Sequence, residues 1–310
     1  MRFSLPVISV CLFLLALACK NGKPRPTDTG ESGTIRISVD ETFRPIVEEQ
    51  IKVFEASWPK ARIIAEYKPE ADCWSDLLRD STRMVIVTRN LTQAEKSYYY
   101  DSVGMYPTSG VLAKDAVALI VNRNAPDSVF TKEQVSQLLQ GQSTLPYNLV
   151  FDGLKATSTV RYAIDSILRG AKLNTAKVTA ATSSRNVVEY IAANKNSIGF
   201  VGVSWIGNPE DTSQTKMLEK VRIAWLPCQD CDEAGMYTKP WQEEILTNRY
   251  PYVRDIVYVL KENHAGLGKG FVNFMMSDRG QLIFRRGYLV PAWKIFMMRE
   301  TKLKLVKPIR

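Results

Sequence analysis

The sequence predicts an α/β protein built on mainly parallel sheets with helices on both faces. Three observations carry that prediction. From residue 34 onward, short apolar runs of strand character alternate with stretches whose apolar residues recur at helical spacing. Two of the runs, MVIVT (84–88) and AVALIVN (116–122), are almost wholly apolar, as strands covered on both faces are. The chain has 310 residues, 45% hydrophobic and 24% charged, which is globular composition and enough length to expect two domains.

Taken in order, residues 34–39 (TIRISV) alternate apolar and polar as a half-buried strand does. Phe43, Ile46, Val47, Ile51, Phe54 and Trp58 then mark a helix, 62–67 a second strand, and Trp74, Leu77 and Leu78 a short helix. Strand 84–88 is followed by a helix over 92–100, and strand 116–122 by a helix over 131–139. That helix opens on Thr131 with Gln134 three residues on, a variant of the capping box. Val160, Ala163, Ile164, Ile167 and Leu168 give another amphipathic helix. Runs 198–203, 221–226 and 256–260 complete the strands, and 272–276 and 282–284 fall in helices.

The N-terminus reads as an export signal. Arg2 precedes an apolar run over 5–18, about 14 residues, shorter than the ~20 a bilayer core requires. The run ends L-A-L-A-C at 15–19, which resembles a lipobox with Ala16 where Leu is usual. That resemblance implies a bacterial lipoprotein cleaved after residue 18 and acylated at Cys19, anchored to the membrane and otherwise extracytoplasmic. Residues 19–33, polar and rich in Gly and Pro, read as anchor and tether.

The formal net charge of +9, of which Arg2 contributes one, suits an anionic ligand or simple solubility. No basic run interleaved with aromatics marks a nucleic-acid groove. With residues 1–18 removed and Cys19 acylated, three of the five cysteines remain. Cys228 and Cys231 form one C-x-x-C suited to a local disulfide, and Cys73 stands apart. One histidine, His264, and no second C-x-x-C leave no metal site to predict, and no cofactor is expected. Neither G-x-S-x-G nor H-E-x-x-H occurs, so nothing recommends an enzyme.

Several blocks, in one order, resemble the phosphate-binding receptors of bacterial ABC importers, within the type II periplasmic binding proteins. They are Thr42-Phe43 after the first strand, D-A-V-A-L-I-V-N (115–122), A-T-S-T-V-R-Y (156–162), N-S-I-G-F-V-G (196–202), Y-P-Y-V-R-D-I-V-Y-V (250–259) and R-G-Y-L-V-P (286–291). The resemblance implies two lobes joined by two crossing strands, lobe I over 34–117 plus 221–310 and lobe II over 118–220. It further implies a monomer that captures phosphate or a related oxyanion between the lobes and hands it to the importer's permease. The alternative is a two-lobed surface lipoprotein that has lost anion transport and serves interaction or signalling.

An oxyanion pocket without chemistry needs hydroxyls, backbone N–H groups at helix starts and guanidinium forks. Thr42 and Phe43, Thr88 and Arg89, Thr157, Ser158 and Thr159, and Arg161 supply these types, and each has a plainer reading. Thr42 and the Thr157–Thr159 cluster serve equally as helix caps, Arg89 as partner of a surface carboxylate, and Arg161 as a solvated side chain. Asp72 is either a proton acceptor for the anion or the cap of the Trp74 helix. The family's Ser-Gly-Thr turn is Thr-Ser-Thr here, and Asp40 and Glu41 put carboxylates beside the first turn, where they would repel a dianion.

Overall fold

The computed structural model describes residues 28–79, 81–153 and 157–293. The export signal and Cys19 lie outside the described residues. No helix among the described residues is long and apolar enough to cross a membrane.

Strand β1 (Gly33–Asp40) leads through a 3₁₀ turn (Glu41–Phe43) into helix α1 (Arg44–Ser57). Next come β2 (Ala61–Lys68), α2 (Glu70–Leu77), β3 (Thr82–Val87) and α3 (Gln93–Val103). α3 opens on a complete capping box of Thr92 and Glu95. β4 (Thr108–Asn122) is followed by α4 (Lys132–Gln140), whose Thr131–Gln134 capping box forms as the sequence predicts. The second half adds β5 (Asn148–Phe151), α5 (Ser158–Tyr162), β6 (Val178–Ala180), α6 (Ser184–Ala193) and β7 (Ser197–Gly202). Then follow α7 (Thr212–Leu218), β8 (Val221–Ile223), β9 (Leu226–Pro227), β10 (Tyr237–Thr238) and α8 (Gln242–Leu246). β11 (Val253–Leu260), α9 (Leu267–Met276), α10 (Asp278–Arg286) and β12 (Val290–Pro291) close the fold.

The main sheet runs β2-β1-β3-β11-β4-β7-β5-β6. β4 carries it from one lobe to the other. Its residues 108–116 pair antiparallel with β11, whereas 117–121 pair antiparallel with β7. In the first lobe β1 lies parallel between β2 and β3; in the second, β5 lies parallel between β7 and β6. Each lobe therefore has a parallel three-stranded core, and β11 and β4, which lie between these cores, pair antiparallel with their neighbours. β8 pairs with residues 120–122 of β4, and the chain then runs back through β9 and β10 to β11. On that return Tyr252 O accepts from Val117 N, and the Tyr250 hydroxyl donates to Val117 O, which ties the second crossing to the first.

Apart from the half-buried Lys114, the residues of β4 from 112 through 121 are buried, so both cores share this strand. Phe54, Phe271 and Phe274 pack with Trp58 on one side, and Phe151 stacks on Phe200 on the other. Met275 fills the first core, in keeping with methionine's role as packing. Cys228 and Cys231 are disulfide-bonded, and the Cys73 thiol is buried.

One expectation is corrected at the start of the chain. The stretch read as tether ends earlier than residue 33, because Asp28 is buried. It accepts from Arg83 Nη1 at 2.6 Å and from Leu267 N at 2.7 Å, with His264 Nε2 at 3.2 Å. Burial pushes the Asp28 carboxyl up, but Arg83, the α9 N-terminus and His264 outweigh it and hold it at about 2.

Candidate functional site

The polar residues of the cleft start from a buried ion pair on the two strands that meet at the crossing. Asp115 heads the apolar half of β4, and Arg254 faces it from β11. Arg254 Nε donates to Asp115 Oδ2 at 2.8 Å, and the Asp115 side chain is fully buried. Asp115 Oδ1 also accepts from Val203 N at 3.2 Å, just past β7. Burial pushes the Asp115 carboxyl up, and Arg254 pulls against it. The guanidinium lies over the Phe43 ring at 5.4 Å and extends to the second lobe, donating from Nη1 to Ser158 Oγ at 3.1 Å. Gly202 lets these groups approach: a Cβ there would stand 2.5 Å from Thr42 Cγ2 and 3.2 Å from Arg254 Nη2.

Above this pair the first turn of lobe I meets the threonine turn of lobe II. Asp40 ends β1 and caps the 3₁₀ turn by accepting from Thr42 N at 2.9 Å. Thr42 Oγ1 reaches 3.4 Å from both Ser158 Oγ and Asp152 Oδ2, which belong to the other lobe. Asp152, just after β5, also accepts from Thr159 Oγ1 at 3.2 Å and from Ser184 Oγ at 3.5 Å. Thr157 caps α5 by accepting from Val160 N. Three polar atoms in this cluster are buried without a hydrogen-bond partner among the described residues: Asp40 Oδ2, Asp152 Oδ1 and Arg254 Nη2. Burial, with the charge of Glu70 next in weight, raises the Asp40 carboxyl to about 7 despite Arg254. Burial also raises Asp152, against Thr157, Arg254 and Thr159.

A second cluster crosses the lobes beside it. Glu70, the first residue of α2, is 2% exposed. It accepts from Thr88 N at 2.8 Å, Thr88 Oγ1 at 2.7 Å and Arg161 Nε at 2.6 Å. Arg161 comes from the second lobe and also donates to Thr88 Oγ1. Burial pushes Glu70 up, but Arg161 and Thr88 win and hold its carboxyl below the usual range. Glu41 makes a further crossing: it accepts from Ser184 N at 3.1 Å and Ser184 Oγ at 2.8 Å, at the first residue of α6. Burial raises its carboxyl while Ser184 lowers it. Ser204 Oγ donates to Thr42 O at 3.0 Å and lines a cavity of about 570 Å³ on the flank of the cleft, with Arg44, Arg185, Trp205 and Arg286.

Of the residues named from sequence, Thr42, Phe43, Thr157, Ser158 and Thr159 gather around Arg254, while Thr88 and Arg161 gather around Glu70. Two do not join the cleft. Arg89 pairs bidentately with Glu95 at 2.8 Å and lies over the Trp74 ring at 4.3 Å. Asp72 is exposed on the first turn of α2 and is not its cap, a position Pro69 holds. The two residues sit two apart on a helical turn, about 200° around, so burying Glu70 turns Asp72 outward. Sequence reasoning missed Glu70, Asp115, Asp152, Ser184 and Arg254 as cleft residues. The available signal was a charge at an apolar strand position, Asp115 in DAVALIVN and Arg254 in VRDIVYV, which calls for a buried partner.

A family model described as "PBP superfamily domain" matches residues 24–279. No curated protein sequence matches the chain. Among solved structures it is similar to a putative phosphate ABC transporter substrate-binding protein with bound phosphate from Clostridium perfringens, at 21% identity and a TM-score of 0.67. That match covers 84% of this chain and 99% of the other. An ABC-type phosphate transport receptor from Vibrio cholerae matches at 18% identity and a TM-score of 0.59, over 83% and 99% of the two chains. A Corynebacterium glutamicum OxyR mutant matches at 14% identity and a TM-score of 0.55, over 91% and 71%. At these identities the likeness is one of fold, shared by transport receptors and a protein of another name alike. The match over residues 24–279, with two parallel half-sheets joined through one crossing strand, places this chain in the PBP superfamily.

Proposed function

We propose that this protein is an extracytoplasmic solute receptor that closes its lobes on one small, proton-bearing oxyanion, phosphate foremost, and delivers it to an ABC importer. The observation that carries the reading is the meeting of Thr42 from one lobe, Ser158 from the other and Arg254 at the crossing, beside three buried atoms without partners among the described residues. Two of those atoms, on Asp40 and Asp152, are carboxylate oxygens; the third, Arg254 Nη2, is a donor. When both carboxyls are ionised, a guest that satisfies all three must donate and accept hydrogen bonds at once. Hydrogen phosphate and dihydrogen phosphate do so, whereas sulfate only accepts. Asp40, which reads from sequence as repelling a dianion, is then an acceptor for the guest's protons, together with Asp152. The phosphate named for the Clostridium perfringens structure supports the same ligand class. Capture and release involve no bond-making step and no cofactor.

The site residues in this reading are Thr42, Phe43, Ser158, Thr159 and Arg254, with Asp40 and Asp152 as proton acceptors and Thr157 as the cap that orients the second turn. The lobes divide at β4 near residue 117 and again between β8 and β9. The lipobox-like 15–19 supports anchoring through Cys19, and the short span from there to Asp28 keeps the body close to its membrane. Isothermal titration of the intact protein with phosphate, against sulfate, tests the reading. Saturable heat with phosphate and none with sulfate is expected, and no heat at millimolar phosphate overturns it.

A second reading has its own observation. Glu70–Arg161 and Glu41–Ser184 bridge the lobes directly, protein group to protein group. A protein whose lobes are joined this way could present a fixed surface to a partner, as an interaction or signalling lipoprotein would. X-ray scattering separates the two: an unchanged radius of gyration with phosphate, together with no heat, favours the fixed surface.

A further inference from the structure

We propose that Glu70 is a selectivity residue: its carboxylate fills the donor set of Thr88 and Arg161 as a built-in anion and closes that part of the cleft to an anion from solution. The inference rests on reading the cleft as an oxyanion site. Residue type alone marks Thr88 and Arg161 as anion ligands, and they do hold one, but it belongs to the chain.

The geometry is that of a bound oxyanion. One backbone N–H, one hydroxyl and one guanidinium converge on a single carboxylate at 2.8, 2.7 and 2.6 Å. Charge-assisted bonds of this kind are about twice as strong as neutral ones. A second guanidinium nitrogen, Arg161 Nη2, stands 3.5 Å from Glu70 Oε1. The carboxylate is buried from water, and the donors reach it from both lobes, so it cannot be mistaken for a solvated surface charge. Its charge is felt at Asp40 in the neighbouring cluster, where it adds to burial in disfavouring ionisation. Glu70 thus acts in two ways. It occupies the second donor set, and it leaves a fixed negative charge beside the first, against which a fully deprotonated oxyanion must work. A guest that brings protons meets less of that repulsion.

Removing the carboxylate leaves the Thr88 N–H, the Thr88 hydroxyl and the Arg161 guanidinium without their acceptor, and an anion from solution is the natural replacement. Sulfate, titrated by calorimetry into the intact wild-type protein and into Glu70→Ala, is the probe. Glu70→Ala is expected to bind sulfate at least about tenfold more tightly than wild type, and adding Arg161→Leu is expected to cancel the gain. Glu70→Gln keeps the shape, serves if the alanine variant fails to fold, and is expected to show a smaller gain of the same sign. Sulfate binding equal to wild type in the folded variants overturns the assignment, as does a gain that survives loss of Arg161. The two readings fail separately. A wild type indifferent to phosphate, with sulfate gained in Glu70→Ala, removes the receptor reading and keeps Glu70 as built-in anion. A wild type that binds phosphate, with no gain in either variant, removes the Glu70 assignment alone.

Discussion

The two polar clusters that join the lobes use the same residue types and end in opposite states. Around Glu70, each donor of Thr88 and the Nε of Arg161 meets a carboxylate within 2.8 Å. Around Arg254, contacts across the lobes stretch to 3.4 Å, and three buried atoms have no partner among the described residues. A satisfied buried network specifies a structure; a partly satisfied one is costly unless something completes it. The difference indicates which cluster is a joint and which is a receptacle. It also separates the carboxylates: Glu70 is held ionised by its donors, whereas burial drives Asp40 toward its neutral form.

The largest effect is expected at Arg254. Arg254→Met leaves Asp115 buried and unpaired, which should cost about 3–5 kcal/mol of unfolding free energy by denaturant titration and abolish oxyanion binding. Combining it with Asp115→Leu should restore most of the stability, because two apolar groups can replace a buried pair at little cost, but not the binding. Recovery of binding in the double variant would mean that Arg254 serves only the fold, and the contrast between the clusters would collapse. Gly202→Ala comes next. A methyl group 2.5 Å from Thr42 Cγ2 forces that side chain off the Ser158 contact. Overpacking of this sort costs about 1–3 kcal/mol, and phosphate affinity should fall about tenfold or more with the Glu70 cluster untouched.

The clusters should also pull stability in opposite directions with pH. Asp40 has its folded pKa raised from 3.8 to about 7, so the folded protein holds this proton more tightly than the unfolded chain does. Its contribution is present below pH ~4, declines as pH rises through that window and is gone above about 7. Glu70 has its folded pKa lowered from 4.5, so its contribution is present above that value and is lost as pH falls through the folded pKa. Denaturation curves across pH should therefore slope down for Asp40 between about 4 and 7, and Asp40→Asn should flatten that segment while Glu70→Gln flattens only the acid limb. A flat profile in wild type over both windows would show that the two carboxylates do not differ as their surroundings imply.

Legibility in the sequence followed the same divide. Elements stabilised locally were readable: the helix behind Thr131 and Gln134 starts where its cap dictates. The first half of β4 was not, since Gly110, Lys114 and Asp115 interrupt its apolar pattern and pairing with β11 supplies what the pattern lacks. β5 and β6, of four and three residues, are too short to show a period. In the cleft, hydroxyls at turns were readable because helix starts and anion sites demand the same groups. The acids were not, because a carboxylate in an anion site makes sense only once its neighbours are known. Asp28 was hidden in a Gly- and Pro-rich stretch that composition assigns to a tether, yet Arg83 and the start of α9 fix it.

The smallest effect is expected at Arg89, which sharpens the comparison by standing next to a cluster without belonging to it. It follows Thr88 directly, and its residue type is that of an anion ligand. Its guanidinium is nonetheless turned to Glu95, the capping-box residue of α3, and stacked on Trp74. Glu95 is held at about 2 chiefly by this arginine, with the cap of Thr92 adding to it against burial. Both side chains are about one-third exposed, so solvent screens the pair and its worth is near ~1 kcal/mol or less. The cation–π contact adds about 0.5–1 kcal/mol at such a site. Arg89→Ala should therefore lower stability by about 1 kcal/mol and leave phosphate affinity within about twofold of wild type. A larger loss of affinity would mean that the α3 cap helps to position Thr88, and the Glu70 cluster would then extend to the surface.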